Sequence, residues 1–194
     1  MIRIGQAFAL LAVLALAACY PPVTSNPIGT TAGVKQDPIF IGTWKGADSR
    51  GKPGYAHFLA DDNGADTMVV LVPAHGSGDA DVVIAVVTSV RFGSFGYLNA
   101  RLAQASGEDV KDQPPGTVPV LYRIDAKGTL TLALMNETAA KAAIAAGRIK
   151  GTVQNGSDGD AVITADPKAL DAFFASPNAV KLFAPPFYTL HRVD

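Results

Sequence analysis

Val118-Pro119-Val120-Leu121-Tyr122-Arg123-Ile124-Asp125 and Thr129-Leu130-Thr131-Leu132-Ala133-Leu134-Met135, with Ala126-Lys127-Gly128 between them, decide the fold class. Both runs are short and rich in Val, Leu, Thr and Tyr, the composition that suits a pleated, half-buried surface. Thr129 to Leu132 alternates polar and apolar residues, so its leucines share one face of a strand. Asp125-Ala126-Lys127-Gly128 supplies turn chemistry, an aspartate that bonds nearby backbone and a glycine that accepts positive φ. The stretch predicts an antiparallel hairpin.

The same signature recurs on either side of it. Before it come 39–46, 54–60, 67–73, 82–92 and 95–103, and after it 149–154, 160–165 and 187–193. Asp62-Asn63-Gly64 predicts a second tight turn, between 54–60 and 67–73. Val82 to Val87 is apolar on both faces, which predicts cover on both sides or a helix over its outer face.

Two helices interrupt the late strands. The first follows Asn136 as N-cap, pairs Glu137 with Lys141 four residues on, and stops at Gly147. The second starts at Asp166 with Pro167 in its first turn and ends at Ser176-Pro177. Leu170, Phe173 and Phe174 share one face of it, which suits either core packing or a lid over an apolar cavity. Hairpins in place of helical crossovers predict a mainly β domain over residues 38–194. About ten antiparallel strands with two short helices inserted late in the chain predict a barrel or a curled sandwich.

The N-terminus carries a different kind of signal. Arg3 precedes an apolar core from Ala7 to Ala18, which ends in Leu16-Ala17-Ala18-Cys19. Twelve apolar residues fall short of the roughly 20 that span a bilayer, but they suit a secretory leader. Leu16-Ala17-Ala18-Cys19 resembles the lipobox of bacterial lipoproteins. The resemblance implies cleavage before Cys19, removal of residues 1–18 as a signal peptide, and acyl chains on Cys19 that anchor the protein in a membrane. Tyr20, where enterobacterial lipoproteins retained at the inner membrane carry aspartate, implies the outer membrane, facing the periplasm.

Cys19 is the sole cysteine, so its acylation would leave none for disulfides, catalysis or metal binding. Residues 19–37 are rich in Pro, Gly, Thr and Ser without apolar period and read as a flexible tether. The leader holds one of the 16 basic residues, leaving 15 against 17 acidic ones. That near balance excludes an electrostatic footprint for nucleic acid.

Gly42-Thr43-Trp44 opens the first barrel strand and Arg192 lies in the last. The pair resembles the calycin superfamily, which includes lipocalins and avidins, where a G-x-W tryptophan closes the barrel base beneath an arginine of the final strand. The resemblance implies an antiparallel, lipocalin-like barrel of about 8–10 strands with the two short helices inserted late in the chain, and Trp44 and Arg192 as its structural plug. The chain lacks the T-D-Y motif of lipocalins and places its helices before the last strand instead of after it.

No catalytic constellation emerges. His57, His75 and His191 lack metal-ligand spacing. The run from Asp61 to Asp66 has Val72 where a calcium loop needs its twelfth-position glutamate, and Asn155 to Asp160 is a single Gly/Asp turn. Ser77 and Ser94 sit outside G-x-S-x-G, with His75 and Phe92 in the first glycine's place. Glu108 and Asp109 fall in a polar loop, 104–117. The chain therefore reads as a non-enzymatic envelope lipoprotein without a cofactor or metal. Two roles stay open, an accessory or structural one with an envelope protein partner, and binding of a small hydrophobic molecule or lipid inside the barrel. An open or a filled barrel interior separates them.

Overall fold

The computed structural model describes residues 21–30, 37–60, 66–73, 82–111, 115–153 and 160–193. Eight strands form a closed antiparallel barrel. They are β2 (Gly42–Asp48), β3 (Pro53–Ala60), β4 (Thr67–Pro73), β5 (Val83–Phe92), β6 (Phe95–Ala105), β8 (Val118–Ile124), β9 (Thr129–Leu134) and β12 (Tyr188–Val193). Each pairs with its neighbour in the chain, and β12 closes the circle between β9 and β2. The two-residue strand β7 (Glu108–Asp109) folds back on the end of β6. A bulge between Ile84 and Ala85 shifts the β5–β6 register and adds local bend, as barrel closure requires.

Alternation decides what faces inward. In β8, Val120 and Tyr122 enter the barrel while Leu121 points out, and in β9 Leu130 and Leu132 enter while Ala133 points out. On this part of the wall Leu121 and Ala133 do not meet water. Between β9 and β12 the chain makes an excursion through α1 (Glu137–Ala145), β10 (Gly151–Val153), β11 (Ala161–Ile163), α2 (Pro167–Phe174) and the one-turn α3 (Pro177–Val180). This excursion packs on the outer wall formed by β5, β6, β8 and β9, with Val90, Tyr97, Leu121 and Ala133 in the contact.

The helix signals act as expected. The Asn136 side chain accepts from the Ala139 N–H, Glu137 pairs with Lys141 at 2.9 Å, and Gly147 follows the helix at φ 65°. The Asp166 side chain accepts from the Ala169 N–H. Pro177, expected only to end the second helix, also opens the third, because its fixed φ suits a first helical position.

The tether is where the structure departs from expectation. Residues 21–30 are a strap docked on the barrel wall. Strand β1 (Val23–Thr24) pairs in parallel with β11, completing a small sheet in the order β1-β11-β10. Thr24 exchanges backbone hydrogen bonds with Thr117, and Val23, Thr24 and Ile28 are all buried. The Asn99 amide grips Ile28 from both sides, accepting from its N–H at 2.7 Å and donating to its carbonyl at 2.9 Å. The Asp171 carboxylate accepts from Gly29 N–H. Backbone groups of Thr24, Ser25, Ile28 and Gly29 that would otherwise bond water are thus partnered, which offsets part of the entropy of ordering them. The boundary of the folded domain therefore lies before residue 38, and residues 21–30 belong to it.

Candidate functional site

Two ends of the barrel differ. The end of β3, the start of β4 and the turns β5–β6 and β8–β9 gather at one end, together with the start of β2 and the end of β12. Phe40, Trp44, Phe58 and Tyr122 fill the barrel there. Phe40 stacks on Phe58 at 5.4 Å and meets Tyr122 edge-on at 4.7 Å, and Trp44 meets Phe58 edge-on at 6.5 Å. The tyrosine ring occupies the space over Gly96, where a Cβ would lie 2.3 Å from it.

Arg192 and Trp44 are brought together at this end. They are register partners in the β12–β2 pair, and the guanidinium sits 5.8 Å from the indole centroid. The indole N–H donates to the Phe40 carbonyl at 2.8 Å, and Arg192 Nη2 donates to the Ile41 carbonyl at 2.6 Å. Sequence reasoning missed a second cation over the same plug. Arg91 Nε donates to the Tyr122 hydroxyl at 3.0 Å, its guanidinium lies 5.5 Å from that ring, and Asp37 stands 3.7 Å away. Burial raises the Tyr122 phenol pKa, with the Arg91 hydrogen bond opposing it in part. The sequence signal for this pair was the inward phase that Arg91 shares with Ser89 and Val87.

Behind the plug the described side chains pack the interior. Leu98, Val120, Leu130, Leu132 and Leu190 are each no more than 6% exposed. An open cleft of about 500 Å³ lies outside the plug between Arg91, Ser94, Arg123 and the Asp125–Thr129 turn. Another, of about 490 Å³, lies on the barrel flank between Pro27, Asp66 and Arg101. Both are open to solvent.

The remaining candidates are dispersed. His57 faces outward on β3, its Nδ1 3.0 Å from the Thr43 hydroxyl, and His191 is exposed on β12. Asp109 accepts from the Gln104 amide at 3.0 Å and Glu108 is exposed. Leu170 and Phe174 pack in the outer cluster, where Phe174 meets Tyr97 edge-on at 5.2 Å, so α2 covers the barrel wall and not its mouth. Cys19, His75, Ser77, residues 61–65 and residues 155–159 lie outside the described residues. Among the described residues no three His, Cys, Asp or Glu side chains converge as metal ligands, and no helix is long and apolar enough to cross a membrane.

The outer face of β3, β4 and β5 carries a row of exposed apolar side chains. Leu59 pairs with Met68 and Met68 with Val86, all three more than a third exposed. Among the described residues no helix covers the outer face of β5 at Val86, which is exposed, against the expectation from its two apolar faces.

Comparison with protein-family models, with curated proteins and with solved structures found no match.

Proposed function

We propose that the protein is a lipid-anchored envelope lipoprotein with a non-enzymatic, accessory or structural role. The observation that carries the anchor is Leu16-Ala17-Ala18-Cys19 at the end of a twelve-residue apolar core. Acyl chains on Cys19 would each contribute about 0.8 kcal/mol per buried methylene, and two or more chains make anchoring stable. Tyr20 after the cysteine supports the outer membrane as its address.

What supports an accessory role over ligand carriage is the filled barrel. A drug-sized or lipid ligand needs a concave site of about 300–1,000 Å³ that encloses most of it. Leucine and aromatic side chains occupy that volume here, as in small barrels packed by their own residues.

Metabolic labelling with palmitate tests the anchor. Label is expected in the wild type and not in Cys19→Ala, and label retained by Cys19→Ala overturns this reading. Native mass spectrometry of the protein taken from its own envelope tests the role. A mass equal to the acylated chain is expected, whereas a retained hydrophobic molecule moves the assignment to ligand binding.

A further inference from the structure

We infer that the docked strap seats the barrel directly on a phospholipid surface in one orientation, with the plug end turned away from the bilayer. The inference rests on the proposed acylation of Cys19 and adds what the fold does with that anchor.

Chain length is the first argument. Val23 is already in β1, buried and hydrogen-bonded to the domain through its strand. Only Tyr20, Pro21 and Pro22 separate Cys19 from it. Four residue steps span at most about 14 Å when fully extended. Pro21 and Pro22 hold φ near −65°, which leaves the link little freedom to turn back. A tether of 19 residues would let the domain tumble well clear of the lipid, whereas a three-residue link does not.

Direction is the second argument. The strap meets the barrel first at Thr117, which leads into β8 at the end opposite the plug. From there it crosses the wall toward the plug end, through Ile28 on Asn99 of β6 and Gly29 against Val90 of β5. The anchored terminus therefore emerges beside the start of β8. The seven residues of β8 rise about 23 Å at about 3.3 Å per residue. That length separates the anchored edge from the Asp125–Gly128 turn and from the plug of Phe40, Trp44 and Tyr122. The edge strand β10 lies two strands from β1, with Thr152 level with Val23 through their shared register partner Val162.

The strap also has to hold its place for the orientation to persist. Asn99, 3% exposed, satisfies both backbone groups of Ile28, and Asp171 satisfies Gly29. These contacts join the strap to the barrel wall and to α2 at once, so pulling on the terminus acts on the whole domain.

The test uses the full chain, acylated in a bacterial host and reconstituted in vesicles of phosphatidylethanolamine and phosphatidylglycerol. With Cys19 blocked by its acyl chain, a cysteine introduced by Thr152→Cys or Lys127→Cys takes a fluorophore alone. Thr152 is an exposed residue of β10 near the anchored edge, and Lys127 lies in the β8–β9 turn. Vesicles carrying a headgroup quencher are expected to quench the label at 152 several-fold more than the label at 127. Inserting twelve Gly/Ser residues between Tyr20 and Pro21 is expected to abolish that difference.

Equal quenching at the two positions in the uninserted chain overturns the inference while leaving the anchor reading intact. A difference that survives the insertion overturns the strap as its cause. Failure of the wild-type chain to float with vesicles overturns the anchor reading and this inference together.

Discussion

The cluster inside the barrel and the cluster on its outer wall are made of the same kinds of residue, Leu, Val, Phe and Tyr. Their assembly differs. The interior cluster comes mainly from strands β2 to β9, which follow one another and pair with their neighbours, with Phe40 just ahead of the first and Leu190 of β12 closing it from 150 residues away. The outer cluster joins Ile28 of the strap, Val90 and Tyr97 of the barrel, and Leu170 and Phe174 of α2, positions up to 146 residues apart by number. Closing such contacts costs loop entropy that local hairpins avoid. The seven barrel strands from β2 to β9 can therefore assemble hairpin by hairpin, whereas closure by β12 waits on the excursion and the outer wall needs the barrel, the excursion and the strap present together.

The strongest way to break this comparison is to remove residues 21–30. A true tether would be dispensable, but this segment buries Val23 and Ile28, each contributing about 1.5–3 kcal/mol. Its removal also takes away the partners that Asn99 and Asp171 hold in the strap. Urea melts of the deleted chain are expected to show a loss of at least about 3 kcal/mol. An unchanged midpoint would mean that the strap contributes nothing to the outer cluster.

Single truncations sharpen the same comparison. Leu130→Ala inside the barrel and Leu170→Ala on the outer wall are each expected to cost about 2–5 kcal/mol. The informative quantity is their coupling to Ile28→Ala. Leu170 shares a cluster with Ile28 and Leu130 does not. The Ile28–Leu170 pair is expected to depart from additivity by more than about 0.5 kcal/mol, and the Ile28–Leu130 pair to add within that margin.

Two glycines carry the contrast down to single atoms. At Gly96 an added Cβ would enter the Tyr122 ring inside the barrel. At Gly29 it would lie 2.5 Å from Val90 on the outer wall, with φ at 90° besides. Gly96→Ala and Gly29→Ala are each expected to destabilise by about 1–3 kcal/mol through overpacking, and Gly29→Ala to lose more because its backbone is strained as well. Thermal melts of the two variants check the order.

Legibility in the sequence followed the same division. All eight barrel strands announced themselves by composition and turn residues, because a strand's alternation is a local property. Asn136 and Asp166 likewise declared their helices through caps three residues long. Residues 21–30 carried no such mark. Val23-Thr24 is too short for a period of two to register, Ile28 is isolated between Pro27 and Gly29, and the composition is that of a linker. What orders the segment lies elsewhere, in Asn99 and Asp171, 71 and 142 residues away from their partners. At the plug, the Trp44–Arg192 pair was legible only through a family resemblance. For Arg91 over Tyr122 the phase of β5 could place the arginine inward, but its partner depends on how far β5 and β8 turn around the barrel.

Alkaline titration separates the two clusters without changing a residue. Burial raises the phenol pKa of Tyr97 on the outer wall and of Tyr122 in the plug. A phenol whose pKa is higher folded than unfolded contributes stability that is fully present below about pH 10, the unfolded value, and is lost as pH rises through the folded value. Melting temperature is expected to fall above about pH 10. The fall should be shallower in Tyr97→Phe than in Tyr122→Phe, because Tyr97 has no hydrogen bond from a cation to favour its charged form. Equal slopes in both variants would mean that the two phenols are equally free to ionise.

The smallest expected effect lies at the plug and concerns Arg192 over Trp44. Arg192 is exposed, so the attraction between guanidinium and indole is expected to be about 0.5–1 kcal/mol, the range for solvent-accessible cation–π pairs. Arg192→Ala alone does not measure it, because the same guanidinium also donates to the carbonyls of Ile41 and Ile39. Trp44→Phe alone does not either, since it shrinks a buried side chain that touches Phe58 and donates to Phe40. The carbonyl bonds are lost whether residue 44 is Trp or Phe, and the packing loss is the same with or without Arg192. Both therefore cancel in a double-mutant cycle of Trp44→Phe with Arg192→Ala, leaving the difference between indole and benzene as a platform for the cation. A positive coupling within that range is expected from denaturant melts. A coupling of zero would mean that Arg192 is held over the plug by the Ile39 and Ile41 carbonyls alone, and that the indole beneath it serves only as a buried ring.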